Sequence, residues 1–369
     1  MPTAAYCLAD LHLEGFPWSR REEFYGDSFR ALESAQQVIL NDTIVPDKDK
    51  VVFLSGDITN KKAIEDDTAM ALRMFIAALH AKGIAVYYVN GNHDMSLRTH
   101  MGHVGVFGGV HIHEQHLQIG DFTVYGLDWV PRGELHEKLK NIPGCDILFL
   151  HCAFKHLLSF EGAYDLDMED LPEHLTNVFV GDVHVTDVSQ NKHGTNVVSP
   201  GPLHPCAISQ PGPHGMMRIV SDTRKWEFLE IDTRHVLDYK LEDYAGMDAL
   251  TLAETIKGMA AAKKLKPHCV LRYNSEDSDR ADKLISLLKD LVFIHEKKSN
   301  HGHLMTFQQR ADMLSTKEET SLEKEAMELV ELKPDDGGVS EFVLALLTGD
   351  AVQLLEAEVA QCSLPSPTP

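Results

Sequence analysis

The chain is short of basic residues. Its 369 residues carry 34 Lys and Arg against 56 Asp and Glu, a formal net charge of −22. That sign disfavours non-specific nucleic-acid binding, which sets Lys and Arg against phosphate. Bound cations and local basic patches reverse the sign where they sit. Long apolar runs are also lacking. No stretch approaches the ~20 residues of a membrane span, and Met1 to Asp10 hold no basic segment followed by an apolar one, so neither a membrane span nor a signal peptide is expected. Cysteine is sparse. The six (Cys7, Cys145, Cys152, Cys206, Cys269, Cys362) form no C-x-x-C pair, which predicts reduced, buried thiols in a cytoplasmic protein, or in the host cytoplasm for a viral one. No internal repeat and no coiled-coil heptad run is present. With 43% apolar and 24% charged residues, global disorder is excluded and one large or two medium domains are expected.

What the chain does have is a set of short apolar runs, each ending in ligand-type residues. Gly83 to Val89 reads as a buried strand and runs into Gly91-Asn92-His93-Asp94. Tyr6 to Ala9 runs into Asp10-Leu11-His12, and Val51 to Ser55 into Gly56-Asp57. Ile147 to Leu150 runs into His151, and Val178 to Val180 into Gly181-Asp182-Val183-His184. Five strands with metal-ligand residues at their C-terminal ends describe one site on a sheet rim, where open α/β sheets bind ligands.

Helical spacing over Glu22–Leu40 and Asp66–Ala81 gives a strand–helix–strand–helix–strand order, the grammar of a parallel sheet with covering helices. In the second helix Met70, Met74, Ala77 and Ala78, with Phe75, are expected to pack on the sheet, and Gly83 to end the helix. His116–Tyr125 around Gly120-Asp121 reads as a hairpin. So does Arg218–Leu229 around Ser221–Arg224. A helix (Leu250–Ala262), a strand (Cys269–Tyr273) and a helix (Ser278–Leu291) then suit a small α+β domain. Met313–Gln361 reads as helical, with Leu322, Ala326, Leu329 and Val330 on one face, and Ser363–Pro369 as a disordered tail.

Asp10-x-His12 puts both side chains on one side of an extended segment, and Asp182-x-His184 does the same. Asp57 has two oxygens and can bridge two cations; Asn92 offers a neutral oxygen, and His151 an imidazole. Together Asp10, His12, Asp57, Asn92, His151, Asp182 and His184 are enough for two cations. Mixed nitrogen and oxygen donors suit manganese, iron or zinc over calcium and magnesium. Two such cations ~3.5–4 Å apart clamp a phosphoryl group and lower the pKa of water. His93 is then free to give a proton to the leaving oxygen, and Asp94 to orient its imidazole. His100, His103, His111, His113 and His116 are read as solvated or hydrogen-bonded. His301 and His303 are read as solvated. His204 is open between a structural and a substrate-facing role.

These residues resemble the calcineurin-like metallophosphoesterases, whose motifs are D-x-H, G-D, G-N-H-D/E, H and G-H-x-H; the match covers roughly residues 1–205. The resemblance implies a four-layer αββα sandwich, with Asp10, His12, Asp57 and His184 on one metal and Asp57, Asn92, His151 and Asp182 on the other. His93 would be the catalytic acid. Asp182 departs from the family, which usually has His there. Within the superfamily the chain is similar to SbcD-type nuclease subunits of DNA double-strand-break repair and their phage recombination relatives. The turn Ser199-Pro200-Gly201-Pro202, the hairpin through Trp226 with Glu230–Arg234, and Lys266–Arg272 carry that likeness.

The reading that follows is an α/β metallophosphoesterase domain over 1–220, an α+β capping domain over 221–300 that recognises DNA, C-terminal helices over 301–362 and a tail over 363–369. The activity expected is DNA exo- or endonuclease action with two divalent cations, manganese first and iron or zinc after. The partners expected are DNA, an SbcC-type ATPase held by the C-terminal helices, and a second copy of the chain. The alternatives are a stand-alone phosphatase or nucleotide phosphodiesterase, and a metal-binding scaffold with little turnover.

Overall fold

The computed structural model describes residues 2–17, 22–61, 63–94, 103–158, 164–207, 210, 212–244, 246–262, 269–274 and 278–297. The chain divides into two units, Met1–Lys298 and Ser299–Pro369. The second unit, with the helices and tail expected there and with His301 and His303, lies outside the described residues, as do His100 and 266–268.

Strand alternation sorts the apolar residues into layers. Among the described residues, β1 (Ala4–Leu8), β2 (Lys50–Ser55), β3 (Ala85–Val89), β4 (Val110–His111), β11 (Gly215–Val220) and β12 (Trp226–Glu230) form a sheet in the order β12-β11-β1-β2-β3-β4. A second sheet runs β5-β6-β7-β8-β10-β9, from β5 (His116–Ile119), β6 (Phe122–Gly126), β7 (Ile147–His151), β8 (Asn177–Gly181), β9 (Thr186–Gln190) and β10 (Asn196–Pro200). Tyr6, Leu8, Val52 and Leu54 face outward under helices α1 (Asp27–Asn41) and α2 (Asp66–His80). Their neighbours Ala5, Cys7, Val51 and Phe53 face inward and meet Phe122, Ile147, Phe149 and Phe179 of the second sheet. Leu148, Leu150, Val178 and Val180 face the other way, onto Leu135 and Leu139 of α4 (Arg132–Leu139). Because β1, β2, β7 and β8 are covered on both faces, they are near-continuous apolar runs. The result is a four-layer αββα sandwich. Its middle is pinned by stacked rings, with Phe53 and Phe149 at 4.3 Å between centroids and Trp226 stacked on Phe179.

Both expected hairpins form. Gly120, in a left-handed conformation, turns β5 into β6, and Ser221–Arg224 turns β11 into β12. β12 lies beyond residue 220 but pairs into the first sheet, Phe228 opposite Met217. A third sheet, β13-β14-β15 (Val236–Lys240, Cys269–Asn274, Val292–Lys297), carries helices α5 (Ala249–Ala262) and α6 (Ser278–Leu287) over a separate core. Arg234 joins this region to the sandwich through a paired ion contact with Asp27 of α1.

One face was assigned wrongly from the sequence. In α2 the buried stripe is Thr68, Leu72, Phe75, Ile76 and Leu79. Met70 and Met74, expected to pack on the sheet, are 55% and 64% exposed. The i, i+4, i+7, i+8 set of branched and aromatic side chains fixes the helix phase. The unbranched methionines lie about 160–200° away from Leu72 at 100° per residue. α3 (His103–Val106) is a single short turn before β4. No helix among the described residues is long and apolar enough to cross a membrane.

Candidate metal centre

Strands β1, β2 and β3 run parallel, as do β6, β7 and β8, so each sheet has one C-terminal rim. Asp10 and His12 follow β1, Asp57 follows β2, Asn92–Asp94 follow β3, His151 ends β7, and Asp182 and His184 follow β8. The site therefore straddles the rims of two facing sheets, where the sequence reading had expected one.

The expected mechanism of convergence is corrected. Asp10, His12, Asp57, Asp182 and His184 are not extended; all have positive φ, at 51, 39, 47, 106 and 58°. Strand alternation does not bring their side chains together; left-handed turns do. Such a conformation costs about 1–3 kcal/mol at a non-glycine residue, and Asp is among those that bear it best. Hydrogen bonds hold it: Asp10 N–H to Gly56 O at 3.2 Å, His12 N–H to Asp57 O at 2.9 Å, and Asp182 N–H to the Asp10 carboxylate at 2.9 Å. Gly56 and Gly91 are required by close approach. A Cβ on the first would overlap the His151 ring, and one on the second the Asp57 carboxylate.

Asp57 is the centre of the geometry. Its Oδ1 lies 3.3 Å from His151 Nε2, and its Oδ2 lies 3.6 Å from His12 Nε2 and 3.9 Å from His93 Nε2. Asp10, Asp57 and His151 form one group whose donor atoms lie within 4.8 Å of one another; His12, Asp57 and His93 form another. His184 Nε2 faces His12 Nε2 at 2.9 Å, and Asp182 Oδ1 is 3.8 Å from His151 Nε2.

Second contacts set which nitrogen is free. His151 Nδ1 donates to Ser55 O at 2.9 Å, so Nε2 is the nitrogen left facing the carboxylates. His12 Nδ1 donates to Asn60 Oδ1 at 3.1 Å, with the same consequence. Asn60 was missed in the sequence reading. It also holds His93 Nδ1 through its carbonyl at 2.9 Å. Its only signal was a polar residue three after Asp57. Gln210, whose amide lies 3.0 Å from His184 Nδ1, carried no signal at all.

The electrostatics are those of crowded acids and imidazoles. Burial raises Asp10 to about 7; His151 pulls it down, and Asp57 pushes it up. Burial lowers His12 to about 3 and His184 to about 4, against the upward pull of Asp57. Burial also pushes Asp57 up, but His151 and His12 outweigh it and the carboxyl stays below its usual range. His151 is held above the usual imidazole range because Asp57, Asp10 and Asp182 overcome its burial. Burial raises Asp182 as well.

The residues fit a pair of divalent cations. Asn92 Oδ1 and His151 Nε2 are buried and have no hydrogen-bond partner among the described residues, and such orphaned polar atoms are costly unless a cation or water meets them. Asp57 shares its two oxygens between the two groups. Asp10 groups with Asp57 and His151. Cation uptake has a predictable pH dependence. Asp10 must lose its proton to ligate, so apparent affinity is expected to rise with pH up to about 7, by at most about tenfold per unit from this group. Titration calorimetry of Mn2+ in two buffers of different ionisation heat counts the protons released: the Asp10 share at pH 6 is largely gone by pH 8, while the proton that the carboxylates hold on His151 is still released there. The same shift acts on the metal-free fold. A carboxyl raised in the folded state stabilises fully below the unfolded value and loses that contribution as pH rises through about 7.

The role expected of Asp94 is also corrected. Its carboxylate accepts from the backbone N–H groups of Ile58, Thr59 and Gly91 and from the Thr59 hydroxyl, at 2.9–3.2 Å, instead of from His93. It ties the loop after β2 to the loop after β3. Asp94→Asn turns a donor toward those N–H groups and is expected to cost about 1–3 kcal/mol of stability, read as a fall in thermal midpoint that exceeds any loss in turnover per folded molecule.

The remaining histidines sort cleanly. His204 is buried and paired with Leu11 O and Pro205 O, a structural role behind the Asp10–His12 turn. His111 pairs with Asp128 at 2.9 Å, and His113 accepts from Asp128 N–H. Cys7, Cys145 and Cys152 are buried free thiols and Cys269 is buried; Cys206 is half-buried beside His12 and His184.

Over 79 residues the chain is 33% identical to the DNA double-strand break repair protein Mre11 of Sulfurisphaera tokodaii; the stretch is 20% of this chain and 20% of that protein. The chain thus spans about a fifth of the length of the curated relative it matches. A solved structure, a dimetal phosphatase from Danio rerio, aligns with 13% identity and a TM-score of 0.40 over 59% of this chain and 92% of that one. The model of the calcineurin-like phosphoesterase family matches residues 5–217, more than half of the chain and every residue of the site just described, and the chain belongs to that family.

Proposed function

We propose that the chain is a metal-dependent DNA nuclease subunit that hydrolyses phosphodiester bonds and works with an SbcC-type ATPase in repair or recombination. The observation that carries the hydrolase part is the division of Asp57 between two donor groups, with orphaned Asn92 Oδ1 and His151 Nε2 beside it. Asp10, His12, Asp57, Asn92, His151, Asp182 and His184 would hold two divalent cations, with manganese favoured by the mixed donors. When bound, such a pair supplies Lewis-acid charge to the phosphoryl oxygens and lowers the pKa of water.

The chain's own residues do the rest. The Asn60 carbonyl fixes the His93 ring through Nδ1–H and leaves Nε2 on the Asp57 side, where as imidazolium it can give a proton to the leaving oxygen. DNA as the substrate is supported by the short likeness to a DNA repair protein and by the Ser199–Pro202 turn. The ATPase partner, a homodimer, and the docking role given to 301–362 rest on the sequence resemblance.

A stand-alone phosphoesterase for small substrates is the second reading, favoured by the net charge of −22. An oligonucleotide cleavage assay with Mn2+ and with chelator separates them. Cleavage that needs the metal supports the nuclease; turnover confined to small phosphoesters rejects it. Co-purification of a large ATPase with the full chain, lost when residues 301–362 are deleted, tests the partner.

A further inference from the structure

We propose that Arg132 and Lys155, gathered on the ring of Tyr164, form a docking point for the phosphate backbone of a nucleic-acid strand beside the metal centre. The inference rests on the nuclease reading and names the part of this chain that would hold the strand.

The Arg132 guanidinium sits 4.6 Å from the centroid of Tyr164, and Lys155 Nζ sits 5.4 Å from it. The negative face of an aromatic ring attracts each cation. The ring therefore keeps two like charges within about 10 Å of each other, the most that the two distances together allow. In a chain of net charge −22 the two cations stand together, facing Asp165 and Asp167 on the Tyr164 loop. Lys155 also meets Asp167 at 3.3 Å, which fixes its ammonium and partly offsets its charge, so Arg132 carries the larger share.

The cluster stands on the rim that carries the ligands. Lys155 follows the ligand His151 by four residues, so its Cα lies within ~14 Å of that of His151, the reach of four extended residues. That distance spans about four nucleotides at 3.4 Å rise. Tyr164 is held against the same loop. Its neighbour Asp165 accepts from Ala153 N–H at 2.9 Å and donates its own N–H to Ala153 O at 2.8 Å. Arg132 opens α4, three residues after Trp129, whose N–H donates to Asn90 O in the strand-end loop that leads to Asn92. The three side chains thus come from the loops after β6 and β7, next to the turns that supply Asn92 and His151. Arg132 and Lys155 are exposed and Tyr164 is half-buried, as a docking point for a strand in solvent requires.

A strand passing over the rim offers further phosphates to such a point, which a single phosphoester lacks. The test compares full-length wild type with Arg132→Ala, Lys155→Ala, Tyr164→Ala and Tyr164→Phe, each with Mn2+. The substrates are a single-stranded oligonucleotide and bis(p-nitrophenyl) phosphate. The selectivity for the oligonucleotide, as the ratio of the two kcat/KM values, is expected to fall about tenfold in Arg132→Ala, less in Lys155→Ala, mainly through KM, since one charge-assisted contact is removed in each. Tyr164→Ala should follow Arg132→Ala, and Tyr164→Phe, which keeps the ring, should restore the ratio. The slope of log affinity against log salt should drop by ~0.7 per cation removed. A ratio that does not move, or a loss equal on both substrates, overturns the docking point while leaving the nuclease in place. A wild type that neither binds nor cuts the oligonucleotide removes both.

Discussion

Replacing Asp57 by Asn is expected to lower phosphodiester turnover by about a thousandfold, on the order of 4 kcal/mol, and to abolish the rise in thermal midpoint that Mn2+ gives the wild type. Among the described residues, the Asp57 carboxylate has its two oxygens facing two sets of donors, His151 on one side and His12 with His93 on the other. Asn has the same shape but only one acceptor, and its NH2 would point into the lone pairs of one imidazole set. It also removes the negative charge that both cations would share. Wild type at a metal concentration of 100 Kd gains about 2.7 kcal/mol of stability. For a domain of this size that is a shift of roughly 5–10 °C, a signal clear enough that its loss is decisive. The metal-free protein should change far less. Asp10 and Asp182 remain to pair with His151, and one of three mutually repelling acids is gone. Circular dichroism and a melt without metal check that the variant is folded. A folded Asp57→Asn protein with full Mn2+ stabilisation and near-normal turnover would sink the two-cation reading.

That prediction leans on residues that were legible in the sequence, and the reason is local. A ligand at the end of a doubly buried strand leaves a sharp trace: an apolar run that stops at Asp, Asn or His. Asp10, Asp57, Asn92, His151 and His184 could all be placed this way, along with the strands beneath them. The sandwich was legible for a related reason, since β1, β2, β7 and β8 are apolar on both faces and so must be covered on both. What the sequence hid was conformation and partnership. Nothing in Asp10-Leu11-His12 distinguishes an extended pair from two left-handed residues; that depends on Gly56 and Asp57 lying alongside to accept and position their backbone. Nor does the adjacency of His93 and Asp94 reveal that the carboxylate turns away, toward Ile58, Thr59 and Gly91. Neighbours in sequence were read as partners, but the tight turn sends their side chains to different loops. The methionines of α2 misled for another reason: apolar character alone does not fix a helix phase when a better-branched stripe runs along the opposite face.

His93→Ala should separate proton delivery from metal binding. Proton transfer by a positioned imidazole contributes about 10²–10⁴-fold, so kcat on a DNA strand is expected to fall in that range. The Mn2+-induced rise in thermal midpoint should persist, because Asp10, Asp57 and His151 still form one group without it, and His12 still meets His184. The backbone N–H of residue 93, which donates to Asp57 Oδ1 at 3.0 Å, survives the substitution as well. The sharper readout is the leaving group. A DNA alkoxide needs a proton as the P–O bond breaks, whereas p-nitrophenolate leaves without one. The variant should therefore lose far more activity on DNA than on bis(p-nitrophenyl) phosphate. An equal loss on both substrates would mean that His93 acts by orienting Asp57 and not by giving a proton. The wild type's own geometry argues for the proton. With Nδ1–H committed to the Asn60 carbonyl, Nε2 is the ring nitrogen left to carry the transferred proton, and it lies 3.9 Å from Asp57 Oδ2 at the centre of the site.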